Sequence, residues 1–355
     1  MQTNPYIAAF GDAPESDYPR MGGKCASLAR MIKAGVRVPP GFAVTTDAYI
    51  RHIAANQLSQ RINELVQSID LDDVEDEARK ATLARALVTD CPIPADVEAA
   101  IRAAYAAMSR DGDLPVAVRS SATAEDMPDA SFAGQQDTYL WVVGADEVVD
   151  RVKACWGSLF NARAISYRAK NHINAADVLM SVGVQKMVDA YAAGVAMTLD
   201  PITGDRSKIV IDAAFGLGEP VVSGEITPDN FVVEKVMLTI AKRRIAEKDY
   251  ELVADRAARC AAPRDIEPER RGTPSLSDAQ VIAVAKLAKS LERTMGGPQD
   301  VEWAIDRDLP ADDGVVALQS RPETIWSRKA PAARTLSGGV DGVLGALMAP
   351  LKVKT

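Results

Sequence analysis

The sequence is poor in histidine, cysteine, aromatic residues and long apolar runs, and each shortage removes a class of chemistry. Only two histidines (His52, His172) and four cysteines (Cys25, Cys91, Cys155, Cys260) serve 355 residues. The cysteines are far apart, no C-x-x-C occurs, and neither histidine neighbours a cysteine in sequence. A zinc site or disulfide framework is therefore not expected, and a reducing cytoplasm is the expected setting. No stretch approaches the ~18 apolar residues of a membrane span, and the N-terminus lacks a basic-then-apolar signal pattern. Basic residues are also in deficit. A net charge of -8 argues against a nucleic-acid or acidic-membrane surface, so any anion site must be a local pocket.

The chain is long enough for about two or three core-bearing units. Few aromatics and abundant alanine suggest helices packed through small side chains. Leu28, Met31 and Ile32 recur at helical spacing after Gly22-Gly23, so a helix is expected from near Lys24, stopping at Gly35 before Pro39-Pro40. "FAVTT" reads as a strand, residues 48 to 110 as helices, with Val97, Ile101, Tyr105 and Met108 on one face. Residues 146 to 170 are again helix-like. From Val178 the texture changes to short apolar runs separated by Gly, Pro and Asp: "VLMSVGVQKMV", "GVAMTLDP", "KIVIDAAFG" and "NFVVEKV". Ser277 to Gln280 is a capping-box pattern for a helix ending at Gly296-Gly297, and "VEWAI" and "VVALQSR" follow as a strand pair. The tail from Ser327 is rich in Ala, Gly and Pro.

Several residues have chemical potential. Lys24, after two glycines at a helix start, suits an anion, although a solvated lysine at a flexible helix entry is the commoner meaning of such a pattern. Arg119 ends the run "VAV", where polarity switches abruptly. Its guanidinium fork fits phosphate oxygens, with Ser120 and Ser121 as further donors, or it pairs on the surface with Glu125 or Asp126. The loop Ala130 to Thr138 carries Gly134 and Gln135 and few bulky groups, so it suits closure over an anion or a plain turn. Strand alternation puts Asp300 and Glu302 on one face, and Gln319 and Arg321 on one face opposite Leu318 and Ser320. If the strands pair, carboxylate, amide oxygen and guanidinium share a polar face; such oxygen ligands suit Mg²⁺. The alternative is the solvent side of an edge hairpin. "VQKMV" offers backbone for an adenine edge and Met187 for its ring, or is a core strand. "GLGEPVVSGE" places Glu219 in a glycine-rich turn.

Five segments in order, "GGKCASLARMIKAGVRVPPGFAVTTDAY", "VRSSATAEDMPDASFAGQQDTYL", "MVDAYAAGVAMTLDPITGD", "DAAFGLGEPVVSGEITPDNFVVEK" and "DVEWAID" with "LQSRPET", resemble the ATP-binding part of phosphoenolpyruvate synthase, pyruvate phosphate dikinase and rifampin phosphotransferase. The resemblance spans roughly residues 10 to 327. It implies an α+β ATP-grasp fold whose two lobes clamp ATP. The helix-rich first lobe would be residues 1–187, the sheet-rich second lobe 188–328, and a linker or docking tail 329–355. It implies phosphate binding by Lys24, Arg119 and Ser120, and a covering loop through Gly134, Gln135 and Thr138. Adenine would lie along Gln185, Met187 and Val188 with Glu219 nearby. Mg²⁺ would be held on Glu302 and Gln319, with Arg321 at the terminal phosphates.

Members of this family pass the β,γ-pyrophosphoryl group of ATP to a histidine on a swivelling domain, leaving AMP. Neither His52 nor His172 stands in the family's Thr-Ser-His-type setting. The carrier histidine is thus expected on a partner subunit or domain, as in the split phenylphosphate synthase, with phenol as the expected small-molecule acceptor. A piece of a phosphoenolpyruvate synthase or rifampin phosphotransferase is the other reading. A non-catalytic ATP sensor and an ADP-forming ATP-grasp ligase are the competing classes. If the Lys24 turn grips phosphate, alkylation of Cys25 should inactivate the protein and Mg-ATP should protect it; a buried, inert thiol is the alternative.

Overall fold

Two antiparallel sheets, of five and six strands, organise the chain. The computed structural model describes residues 4–70, 72–109, 113–122, 137–162, 164–166, 178–255, 257–310 and 314–326, with the backbone of 126–127 and 130–131. Expectations for Gly134, Gln135, His172 and the tail 329–355 lie outside the described residues. The main compact unit is Met1–Pro322. A second unit, Glu323–Thr355, is described only at its start, where the Glu323 carboxylate accepts from the amides of Ile325 and Trp326.

The first sheet has the order β1 (Ile7–Ala9), β2 (Gly41–Val44), β7 (Met180–Lys186), β3 (Val116–Ala122), β6 (Thr138–Val142). Two-residue strands β4 (Asp126–Met127) and β5 (Ala130–Ser131) pair with each other between β3 and β6. Helices α2 (Thr46–Ala55), α3 (Leu58–Gln67), α4 (Val74–Thr89), α5 (Ala95–Met108) and α6 (Ala145–Gly157) supply apolar faces to the same core. Val97, Ile101 and Tyr105 of α5 are all buried, as their spacing requires. Asp73 caps α4 by accepting from the amides of Glu75 and Asp76.

The second sheet runs β11 (Thr239–Arg244), β10 (Asp229–Glu234), β9 (Lys208–Phe215), β8 (Ala190–Met197), β14 (Gln299–Asp306), β15 (Val315–Pro322). Alternation sends Ile209, Ile211, Phe231, Val301, Trp303 and Ile305 to one face, where helix α7 (Asp278–Met295) covers them with Val281, Val284 and Leu291. That helix has both halves of the capping box at Ser277 and Gln280, and it ends on Gly296 at φ 77°. The hairpin β12 (Tyr250–Asp255) and β13 (Cys260–Asp265) stands beside the sheet. Strands β11 to β13 have no counterpart in the sequence reading. β11 is mostly exposed and charged, and β12 and β13 are largely half-buried with no regular apolar alternation, so the signal of a half-buried strand is missing. Among the described residues no helix is long and apolar enough to cross a membrane.

Helix α1 (Tyr18–Lys33) packs on both sheets, touching β3 and β7 of the first and β15 of the second. It begins earlier than its apolar spacing indicates, but Gly22 (φ 72°, ψ 167°) breaks it, and the stretch starting at Gly23 is the one the sequence marks.

Candidate functional site

The break at Gly22 brings helix and strand backbones together. A Cβ at Gly22 would lie 2.0 Å from the Ser121 carbonyl oxygen, so only glycine permits the approach. From the turn that follows, the Lys24 ammonium donates to the Ser120 carbonyl at 3.2 Å. Arg119 precedes Ser120 on β3, and its cross-strand neighbour on β6 is Thr138. Lys24, Arg119 and Thr138 are therefore gathered on the β3–β6 side of the first sheet.

The second sheet supplies the oxygens. β14 and β15 pair antiparallel, with Glu302 opposite Gln319 and Asp300 opposite Arg321. The Arg321 Nε lies 3.4 Å from the Asp300 carboxylate. A register shift after Glu302 places Trp303 opposite Ala317, leaving Leu318 as the extra residue of a β-bulge. The simple alternation that set Leu318 opposite Gln319 is corrected here: both side chains line one crevice with Lys24, Cys25, Arg119 and Gln185. Across that crevice the Arg119 Nη2 approaches the Glu302 Oε2 at 3.8 Å, with both side chains about a quarter exposed (22 and 26%). Cations from α1 and β3 thus confront oxygens from β14 and β15 across a narrow crevice, the two kinds of group that bind phosphate and hard divalent cations.

Other residues from the sequence reading have different surroundings. The Ser120 hydroxyl donates inward to the Asp137 carbonyl at 3.2 Å. Asp137 in turn is held by Arg85 and by the Tyr139 hydroxyl, whose pKa burial and this carboxylate push up to about 12. Gln185 is buried, and its amide donates to the Pro39 carbonyl at 3.2 Å. The amides of Lys186 and Met187 already donate to the carbonyls of Pro40 and Pro115. Met187 and Val188 lie in an apolar cluster with Ala117, Trp141, Ala193 and Leu217, where the two sheets meet. Glu219 is exposed at the start of a short helix, Glu219–Ser223.

Cys25 is 1% exposed, and its sulfur packs so closely that a Cβ at Gly183 would come within 2.9 Å of it. Of the two readings of Cys25, this burial favours the inert thiol over ready alkylation. His52 is fully buried: it stacks on Trp156 with ring centroids 5.0 Å apart and bonds the Val88 carbonyl at 3.0 Å.

Ser121, read from the sequence as a further phosphate donor, is corrected to a buried contact of helix α1, and Asp212 and Asn230 have no role in that reading. Ser121 is fully buried beside the Gly22 turn. Asp212 and Asn230, joined by a 2.8 Å hydrogen bond, lie in the same cross-strand row as Gln319, Glu302 and Val195. Period-two alternation marks their face, but only the register brings them level with Glu302.

Residues 18–337 match the family model described as "Pyruvate phosphate dikinase, AMP/ATP-binding domain". The chain is 43% identical over 346 residues to a probable phosphoenolpyruvate synthase of Staphylothermus marinus, covering 91% of this chain and 42% of that protein. Phosphoenolpyruvate synthases of Aeropyrum pernix (42% identity; 88% of this chain, 41% of that one) and Pseudomonas aeruginosa (40%; 91% and 42%) are similar in the same way. The chain therefore spans less than half the length of these curated relatives.

Proposed function

The chain belongs to the pyruvate phosphate dikinase AMP/ATP-binding domain family, and from that membership we propose that it binds Mg-ATP between its two sheets. In this reading residues 1–187 and 188–328 are the two lobes of an ATP grasp, and 329–355 a linker or docking tail. The chain delivers the β,γ-pyrophosphoryl group to a histidine on a partner subunit or domain. The Arg119–Glu302 approach carries the reading, because it sets a phosphate-binding cation against a metal-binding carboxylate.

Lys24 and Arg119 bind and neutralise phosphate oxygens, and Arg321 does so at the terminal phosphates. Thr138, with Gly134 and Gln135, borders the phosphates. Ser120 contributes through Lys24, whose ammonium its carbonyl accepts, since its amide and hydroxyl both donate to the Asp137 carbonyl. The base lies along Gln185, Met187 and Val188, near Glu219. The donor set fits Mg²⁺: Glu302 and Gln319 are cross-strand partners on one face, and such an ion takes few protein ligands beside substrate phosphate and water. Bound there, it supplies neutralisation of the polyphosphate charge. The transfer forms a bond from the histidine nitrogen to the β-phosphorus and breaks the bond from that phosphorus to the α,β-bridging oxygen, which leaves with AMP; phosphate is released later. Such chemistry needs positioning and charge neutralisation more than a nucleophile from this chain.

The acceptor completes the proposal. The relatives' names favour pyruvate, whereas likeness to the split phenylphosphate synthase favours phenol. With ATP labelled at the β-phosphorus, a histidine-bearing partner should gain acid-labile label and AMP should appear. Pyruvate or phenol should then discharge the label. ADP as the only nucleotide product would replace the proposal with an acyl-phosphate ligase. Binding of ATP without any product under these conditions would replace it with a sensor.

A further inference from the structure

Ser121 is 0% exposed, yet its hydroxyl bonds to another element rather than to its own strand. It donates to the Met21 carbonyl at 3.2 Å and accepts the Cys25 amide at 3.3 Å. Those groups bracket Gly22 to Lys24, where the helix is broken and intrahelical partners are missing. The same serine's carbonyl and hydroxyl oxygens lie 2.0 and 2.5 Å from where a Gly22 Cβ would stand, so the turn is seated directly on this residue.

We infer that Ser121 is a positioning residue for phosphate capture: it locks the Gly22–Gly23 turn so that Lys24 projects beside Arg119. This rests on reading the Lys24–Arg119 crevice as the ATP site. Three consecutive residues of β3 then divide the work. Arg119 faces the crevice, Ser120 receives the Lys24 ammonium on its carbonyl, and Ser121 holds the turn that carries the lysine. A hydroxyl both donates and accepts from a very small side chain. Alanine offers neither bond, cysteine offers weaker ones at similar volume, and threonine adds a methyl group to a fully buried position.

The test is equilibrium binding of Mg-ATP and of adenosine to the whole chain and its variants Ser121→Ala, Ser121→Cys, Lys24→Ala and Ser121→Ala/Lys24→Ala. Ser121→Ala should weaken Mg-ATP by about tenfold, the scale of one or two hydrogen bonds, and leave adenosine within about twofold. Ser121→Cys, which preserves the packing, should fall between wild type and Ser121→Ala. In the Lys24→Ala background the Ser121→Ala change should have almost no further effect on Mg-ATP, because it acts through the lysine. Equal losses for ATP and adenosine, or an undiminished effect without Lys24, would overturn the assignment. Failure of the wild-type chain to bind Mg-ATP would overturn the ATP-site reading instead.

Discussion

The guanidinium of Arg119 and the carboxylate of Glu302 face each other at 3.8 Å, one on each sheet. The separation is at the long limit of an ion pair, and both groups keep contact with solvent. Such a pair adds little stability, with a median of about 0–1 kcal/mol for exposed pairs. Its significance lies in what can enter between the partners.

Replacing Arg119 or Arg321 by alanine should raise the dissociation constant for Mg-ATP by about 10- to 100-fold, since charge-assisted hydrogen bonds contribute roughly 1.5–3 kcal/mol each. Thermal unfolding should move little, because both side chains reach solvent. Titration of nucleotide alongside a melting curve separates the two effects. Unchanged affinity in both variants would remove the phosphate assignment.

Glu302→Gln should raise the Mg²⁺ concentration needed for half-maximal ATP binding. Chelation with EDTA should weaken ATP binding more in the wild type than in this variant. A magnesium titration at fixed nucleotide reads both outcomes, and an identical Mg²⁺ requirement in the two proteins would count against Glu302 as a ligand.

Cys25 and Cys155 should resist alkylation in the folded protein, whereas Cys91 and Cys260, both partly exposed, should react first. Burial pushes the Cys155 thiol well above its usual range, so little reactive thiolate forms. Peptide mapping after brief iodoacetamide treatment gives the order. Rapid modification of Cys25 would contradict its packing against Gly183.

Burial pushes the His52 imidazole below its ordinary 6.5, with the charge of Lys153 acting in the same direction and the Val88 carbonyl opposing. The unfolded chain then takes up a proton before the folded one does. The stabilisation tied to the neutral ring is complete above about pH 6.5 and is lost as pH falls towards the lower folded value. Urea midpoints of wild type and His52→Asn, compared between pH 8 and pH 5, should converge as the pH drops. A constant difference would show that the ring does not titrate with unfolding.

Lys248 and Asp229 form a fully buried pair at 2.6 Å, and the carboxylate also accepts the amides of Ala246 and Ser275. Lys248→Met should destabilise the fold by about 3–5 kcal/mol, because it leaves a buried carboxylate without its counter-charge. Lys248→Met/Asp229→Asn should recover much of that loss in urea unfolding. No recovery would mean that the lysine's packing over Phe215, not its charge, is what matters.

Much of the fold is legible in the sequence because period and punctuation agree. The apolar stripe of α5, the Ser277 capping box and the alternation of β14 each follow from local chemistry. The Leu318 bulge does not, since one extra residue in a strand leaves the alternation nearly intact to the eye. Strands β11 to β13 are hidden because none of them alternates apolar and polar residues in a regular way, β11 being mostly exposed and β12 and β13 largely half-buried. At the site, residue types on β3 and on the β14–β15 hairpin are readable, but hydrogen-bond commitments are not. Nothing in the letters shows that Ser120 turns to Asp137, Ser121 to the helix break, or Gln185 to Pro39.

Helix α1 is fastened to both neighbours in different ways, its apolar face sharing one buried core with the second sheet. Against the first sheet, backbone meets backbone at Gly22 and a thiol fills the space over Gly183. Against β15 it has the Ser27 hydroxyl on the Ser320 carbonyl, while the Arg37 carbonyl just beyond it receives the Ala317 amide. Should the gap between the sheets widen to admit or discharge a nucleotide, the close contacts at Gly22 and Gly183 would hold the start of the helix to the first sheet, and its apolar face on the second sheet would have to repack. Lys24 and Arg119 would then keep their mutual spacing throughout the stroke, and the carboxylates would be the partners that come and go.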